Sequence, residues 1–159
     1  MKAVSVAILK KELQQRSPEE LMDLCLRLSK FKKENKELLT YLLFEAHDES
    51  GYIEAVKHEL DVQFDTINTN SYHYIKKSIR KILRLVKKYA RYSLKKETEV
   101  ELLLYFCNKL NDFEPSIYNN VSLTNIYNRQ IISIKKIITA LHEDLQYDYN
   151  LELEALNSL

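Results

Sequence analysis

At 159 residues and 18.9 kDa the chain has the size of one domain. It holds one glycine, two prolines and no tryptophan, which excludes a P-loop, a G-x-G-x-x-G dinucleotide turn and a G-x-S-x-G nucleophile elbow, since each needs clustered glycines. The net charge is +1, so no overall field selects nucleic acid or an anionic membrane.

Sheet proteins need turn residues roughly every 8–12 positions. A chain this poor in Gly and Pro, and rich in Leu, Lys, Glu and Ile, is expected to be all-α, with about seven helices. The first covers about residues 3–15. Its apolar part, Ala3 to Leu9, is too short for a signal-peptide core and runs into Lys10 and Lys11. Ser17, Pro18, Glu19 and Glu20 then mark a helix start: a serine N-cap, proline at N1 and acids over the free amides. The helix they open sets Leu21, Leu24, Cys25, Leu28 and Phe31 on one stripe. A polar break over Lys32–Glu37, with Asn35 as cap, precedes a third helix through Leu38, Leu39, Leu42, Leu43 and Ala46. Asp48 to Gly51 reads as a loop, and a fourth helix carries Ile53, Val56, Leu60, Phe64 and Ile67.

A polar connection over Thr66–Ser71 leads into a long helix from Tyr72 to about Tyr92. Thr98 with Glu101 reads as a capping box for a sixth helix, whose run Leu102 to Cys107 is apolar on nearly every side and should be the most buried segment. After Pro115 and a polar stretch over Asn119–Thr124, a last long helix runs from Leu123 to Leu145. Residues 146–159 form a short helical or frayed tail of the same single domain, 1–159. Helices of this length joined by short turns imply either stacked hairpins of the HEAT and armadillo kind or a compact bundle; the spacing of segments 18–47, 52–92 and 98–145 favours the stack, although they share no repeated consensus. Segment 17–47, SPEELMDLCLRLSKFKKENKELLTYLLFEAH, resembles small all-helical proteins of Bacteroidetes-type bacteria, as does the Lys, Asn, Ile and Tyr bias. The resemblance covers a fifth of the chain and implies no activity.

Chemistry is sparse. No run of about 18 apolar residues suggests a membrane span, so a cytoplasmic address is expected. Cys25 and Cys107 form no C-x-x-C and sit in apolar patterns, as small buried hydrophobes do. Neither H-E-x-x-H nor E-x-x-H occurs; Glu54, His58 and Asp61 share a helical face, as surface residues at that spacing often do by chance. His47 with Asp48 and Glu49, and His142 with Glu143 and Asp144, fall near predicted helix C-termini, where histidine caps carbonyls. No catalytic residue, metal ligand or cofactor is assigned. Among the eleven tyrosines, Tyr41, Tyr52, Tyr89 and Tyr105 are expected at the core edge with hydroxyls in water, and Tyr72, Tyr74 and Tyr92 flank the basic helix.

Charge distribution is the one functional signal. Residues 66–96 hold ten basic residues and no acid, whereas residues 1–65 hold 10 basic and 13 acidic, and residues 97–159 hold 4 and 10. At ~100° per residue, Lys76, Lys77, Arg80, Lys81, Arg84, Lys87, Lys88 and Arg91 occupy roughly 140° of the long helix. Ile75, Ile79, Ile82, Leu83, Val86, Tyr89 and Ala90 fill the other side. Such a wall is either neutralised within the fold, by acids of residues 97–159 or by Glu54, Glu59 and Asp65, or turned toward a partner. An acidic protein and a nucleic-acid phosphate backbone both fit. An anionic membrane surface fits less well, because the apolar side is needed by the fold. The reading is a non-enzymatic interaction module with this helix as its contact surface, and nucleic-acid binding as the alternative.

Overall fold

The computed structural model describes residues 1–157, and 81% of these are helical, with no strand among them. The chain divides into two compact units, Met1–Phe44 and Glu45–Leu159, where its length reads as one domain.

The N-terminal unit contains α1 (Val6–Gln14), α2 (Pro18–Phe31) and α3 (Lys33–Thr40), continued by a π-helical turn, Tyr41–Glu45. The capping box of α2 forms as its sequence dictates: the Glu20 amide donates to Ser17 Oγ (3.2 Å) and the Ser17 amide to Glu20 Oε2 (2.8 Å). Asn35 is not the cap of α3. That place is taken by Lys32, in extended backbone, while Asn35 Nδ2 reaches back to the Leu28 carbonyl (2.8 Å), satisfying an open carbonyl at the end of α2. No residue of α1, α2 or α3 is buried. Of the stripe expected to be core, Leu24, Cys25, Leu28 and Phe31 are exposed and Leu21 is partly so.

The second unit is built on α4 (Glu49–Asp65), α5 (Tyr72–Ser93), α6 (Lys96–Asn111), α7 (Val121–Ile138) and α8 (Glu143–Asn157). Helix α6 packs against α4, α5, α7 and α8, and Leu102, Leu103, Leu104, Phe106, Cys107 and Leu110 are buried, as the all-round apolar run requires. Gly51 lies inside the first turn of α4 rather than in a loop: Asp48 is the N-cap and its carboxylate accepts from the Gly51 amide (3.0 Å). The helix expected to continue to Leu145 ends at Ile138, and a second helix starts at Glu143. The tail is thus helical to Asn157, with Leu153 and Leu156 buried; Ser158 and Leu159, also part of the predicted tail, lie outside the described residues. Thr98 and Glu101 form no capping box, because α6 begins two residues before Thr98 and both side chains serve long-range contacts.

Two local features cost stability. Gln130 is buried and donates to the Ile126 carbonyl, but its Oε1 accepts from no group among the described residues. Leu94 stops α5 in the left-handed region (φ 59°, ψ 4°), its amide donating to the Ala90 carbonyl (3.0 Å), with its side chain 83% exposed. That conformation costs an L-residue about 1–2 kcal/mol and glycine nothing comparable. Leu94→Gly is therefore expected to raise the thermal midpoint by about 2–4 °C in a circular-dichroism melt. A lower midpoint would mean that the exposed side chain stabilises the helix end by packing.

Candidate basic interface

Helix α5 is the most strongly amphipathic helix of the chain. Ile75, Ile79, Ile82, Val86 and Ala90 are buried, which fixes its rotation. The basic row is thereby turned away from the core. Lys77, Arg80, Lys81, Arg84, Lys87 and Arg91 are exposed, and Lys76 and Lys88 partly so. Over 22 residues the helix is about 33 Å long. His73, Lys76, Lys77, Arg80, Leu83, Arg84 and Lys87 line an open depression of 540 Å³, all of them on this one helix.

Among the described residues, no acid lies within ion-pair distance of Lys76, Lys77, Arg80, Lys81, Arg84, Lys87 or Arg91. Arg80 donates to Ser122 Oγ (3.1 Å), and the Lys88 ammonium lies over the rings of Tyr89 and Tyr92, at 5.0 and 5.9 Å.

The acids that might have covered the row are held elsewhere. Lys57 Nζ sits 2.8 Å from both Glu54 and Glu101. Asp61 takes the Tyr105 hydroxyl (2.6 Å) and Lys109 (2.9 Å). Glu59 takes the Tyr89 hydroxyl (2.6 Å), and Glu49 gathers Ser93, Lys95 and Thr98. On α8, partial burial and the nearby Glu101 push the Glu152 carboxyl up, Asp148 adding to this against the pull of Lys57. Glu152 is thus set beside the Glu101–Lys57 pair.

These contacts also place the other candidates. Tyr52, Tyr89 and Tyr105 spend their hydroxyls on protein acceptors and not on water, Tyr52 on the Tyr89 carbonyl (3.0 Å). Glu54 and Asp61 are engaged with lysines, so the face they share with His58 is a salt-bridged one, and no group of three metal-ligating side chains converges among the described residues. His142 precedes α8 instead of ending a helix, with Nδ1 3.4 Å from the Asp144 amide. No helix among the described residues is long and apolar enough to cross a membrane.

Sequence reasoning missed Leu83 and His73 as members of the basic depression, and missed Glu49, whose partners lie 44–49 residues away. It also missed the exposure of the N-terminal helices. The sequence pointed the other way: Met22 and Leu26 widen the apolar arc of α2 well beyond one stripe, a pattern that reads as burial. No protein-family model, curated protein or solved structure matches the chain.

Two outcomes follow. Burial pushes the Cys107 thiol up to about 12, whereas Cys25 is exposed in the single chain, so iodoacetamide should modify at most one thiol in the folded protein and two after unfolding, by intact mass; two in the fold would place Cys107 within reach of solvent. For Asp61, partial burial raises the carboxyl, but the bonds from Tyr105 and Lys109 outweigh it and hold the carboxyl below its usual range. A depressed carboxyl contributes stability above its unfolded pKa and loses it as pH falls through the folded one. Tyr105→Phe should therefore move acid unfolding to higher pH, and an unshifted transition would show that Lys109 alone holds the carboxylate.

Proposed function

We propose that the chain is a non-enzymatic helical interaction module that binds an acidic protein surface through the outer face of α5. The observation that carries this reading is the row itself: Lys76, Lys77, Arg80, Lys81, Arg84, Lys87 and Arg91 stand at successive turns over a buried apolar side and, among the described residues, have no acid at ion-pair distance. Rigid side-by-side cations lose little on meeting complementary charge, and such a surface steers encounter and selects partners by sign.

A second reading, phosphate-backbone binding, has its own support. Tyr74 is 49% exposed at the N-terminal end of the row, and its ring lies edge-on to His73 at 5.6 Å. An exposed aromatic beside a basic track is the arrangement on which single-stranded bases stack.

The test uses Lys77→Glu, Arg84→Glu, Lys87→Glu and Arg91→Glu together. All four side chains are exposed and make no ion pair among the described residues, so the melting temperature should stay close to that of the parent, exposed charges contributing little to stability. Binding to poly-glutamate should fall at least roughly tenfold, and the parent's affinity should weaken as salt is raised. Tyr74→Ala separates the readings: it should lower affinity for single-stranded RNA while leaving poly-glutamate binding unchanged if the phosphate reading holds. Polyanion binding unaltered in the quadruple variant would overturn both.

A further inference from the structure

The N-terminal unit has helices but lacks a core. Its helices are 9, 14 and 8 residues long, at or below the roughly 12–15 residues that an isolated helix needs in water, where helical stability comes chiefly from burying an apolar face. Around α2, at ~100° per residue, apolar side chains sweep from Phe31 and Leu24 through Leu28 to Leu26, broken only by Ser29, and leave Glu19, Lys30, Asp23, Arg27 and Glu20 as a polar strip. That is the pattern of a helix covered on most sides. Yet Leu24, Leu26, Leu28 and Phe31 are 40, 45, 60 and 76% exposed.

We infer that this unit is the interface between two copies of the chain. Area is the first argument. Fourteen large apolar side chains from Val4 to Phe44 are each 36–80% exposed; at roughly 150–200 Å² per whole side chain they uncover on the order of 1,000 Å², more than the ~800 Å² each partner buries in a stable pair and more than the few hundred Å² that monomers leave as one apolar patch.

Shape is the second. Leu28 lines two grooves, one of 860 Å³ between α1 and α2, floored by Leu9, Leu13 and Leu24, and one of 280 Å³ between α2 and α3, with Leu38 and Leu42. A ridge flanked by grooves is self-complementary: two copies related by a two-fold axis lay ridge into groove twice.

Charge selects a second copy over a foreign partner. On the rim, Arg16 is paired within the chain to Glu12 (3.8 Å) and Glu20 (3.6 Å). Asp23 and Arg27, one turn apart on α2, have no ion pair among the described residues. An antiparallel pairing of α2 with its copy sets Asp23 of each against Arg27 of the other, whereas a partner of single sign satisfies only one of them.

Sedimentation of the full chain over a range of concentrations tests this. The parent should sediment as a dimer, and Leu24→Glu with Leu28→Glu should raise the dissociation constant at least roughly tenfold. Because both leucines are exposed in the single chain, the thermal transition of the second unit should persist in that variant. Asp23→Arg and Arg27→Asp should each weaken the dimer and together restore it, a rescue that a merely destabilised helix would not show. A parent that stays monomeric at all concentrations, a dimer indifferent to the leucine pair, or a charge swap without rescue would overturn the inference.

Discussion

Helix α6 buries most of its circumference: Leu102, Leu103, Leu104, Phe106, Cys107 and Leu110 are shut from water, and helices α4, α5, α7 and α8 close over it. The second unit depends on that constraint. Each covering helix must turn its apolar side to α6 and so loses the freedom to choose which polar residues face outward. For α5, Ile75, Ile79, Ile82 and Val86 make the inward commitment at essentially zero exposure, and the eight basic residues are left outside.

The same constraint sorts the acids. Helices α4 and α6 meet over their apolar faces, and the polar residues at the margins of that contact find each other: Lys57 between Glu54 and Glu101, and Lys109 with Tyr105 on Asp61. Glu49, at the start of α4, ties the junction of α5 and α6 through Ser93, Lys95 and Thr98. These carboxylates fasten one helix to the next, and none of them is spent on Lys76, Lys77, Arg80, Lys81, Arg84, Lys87 or Arg91. Net charge says little here, because opposite charges neutralise each other only where the fold brings them within a few ångströms.

The N-terminal unit follows the opposite logic. Its local instructions are complete, with a serine cap on α1, a full capping box on α2 and an asparagine closing the α2 end, but capping positions helix ends and does not remove apolar surface from water. Caps contribute about 1 kcal/mol each, whereas exposed leucines and a phenylalanine forgo about 1.5–3 kcal/mol apiece. Helices specified this clearly and covered this poorly belong to an interface. The two units thus divide the work: one presents charge on a rigid frame, the other presents apolar ridges and grooves.

What the chain determined by itself is local and periodic. The all-α class came from the near-absence of turn residues, the burial of α6 from its long apolar run, the start of α2 from Ser17 and Glu20, and the facing of the basic row from the spacing of three isoleucines and a valine about one turn apart. Each rests on residues within one or two turns of one another, where geometry is set by the helix. Tertiary structure decided the rest. Thr98 and Glu101 have the spacing of a capping box, yet Glu49 and Lys57, 49 and 44 residues away, hold them; Cys25 and Cys107 share an apolar setting in sequence, yet only Cys107 found a core. Periodicity states which face of a helix is apolar, and only the arrangement of helices in space states what covers that face and where each charge is spent.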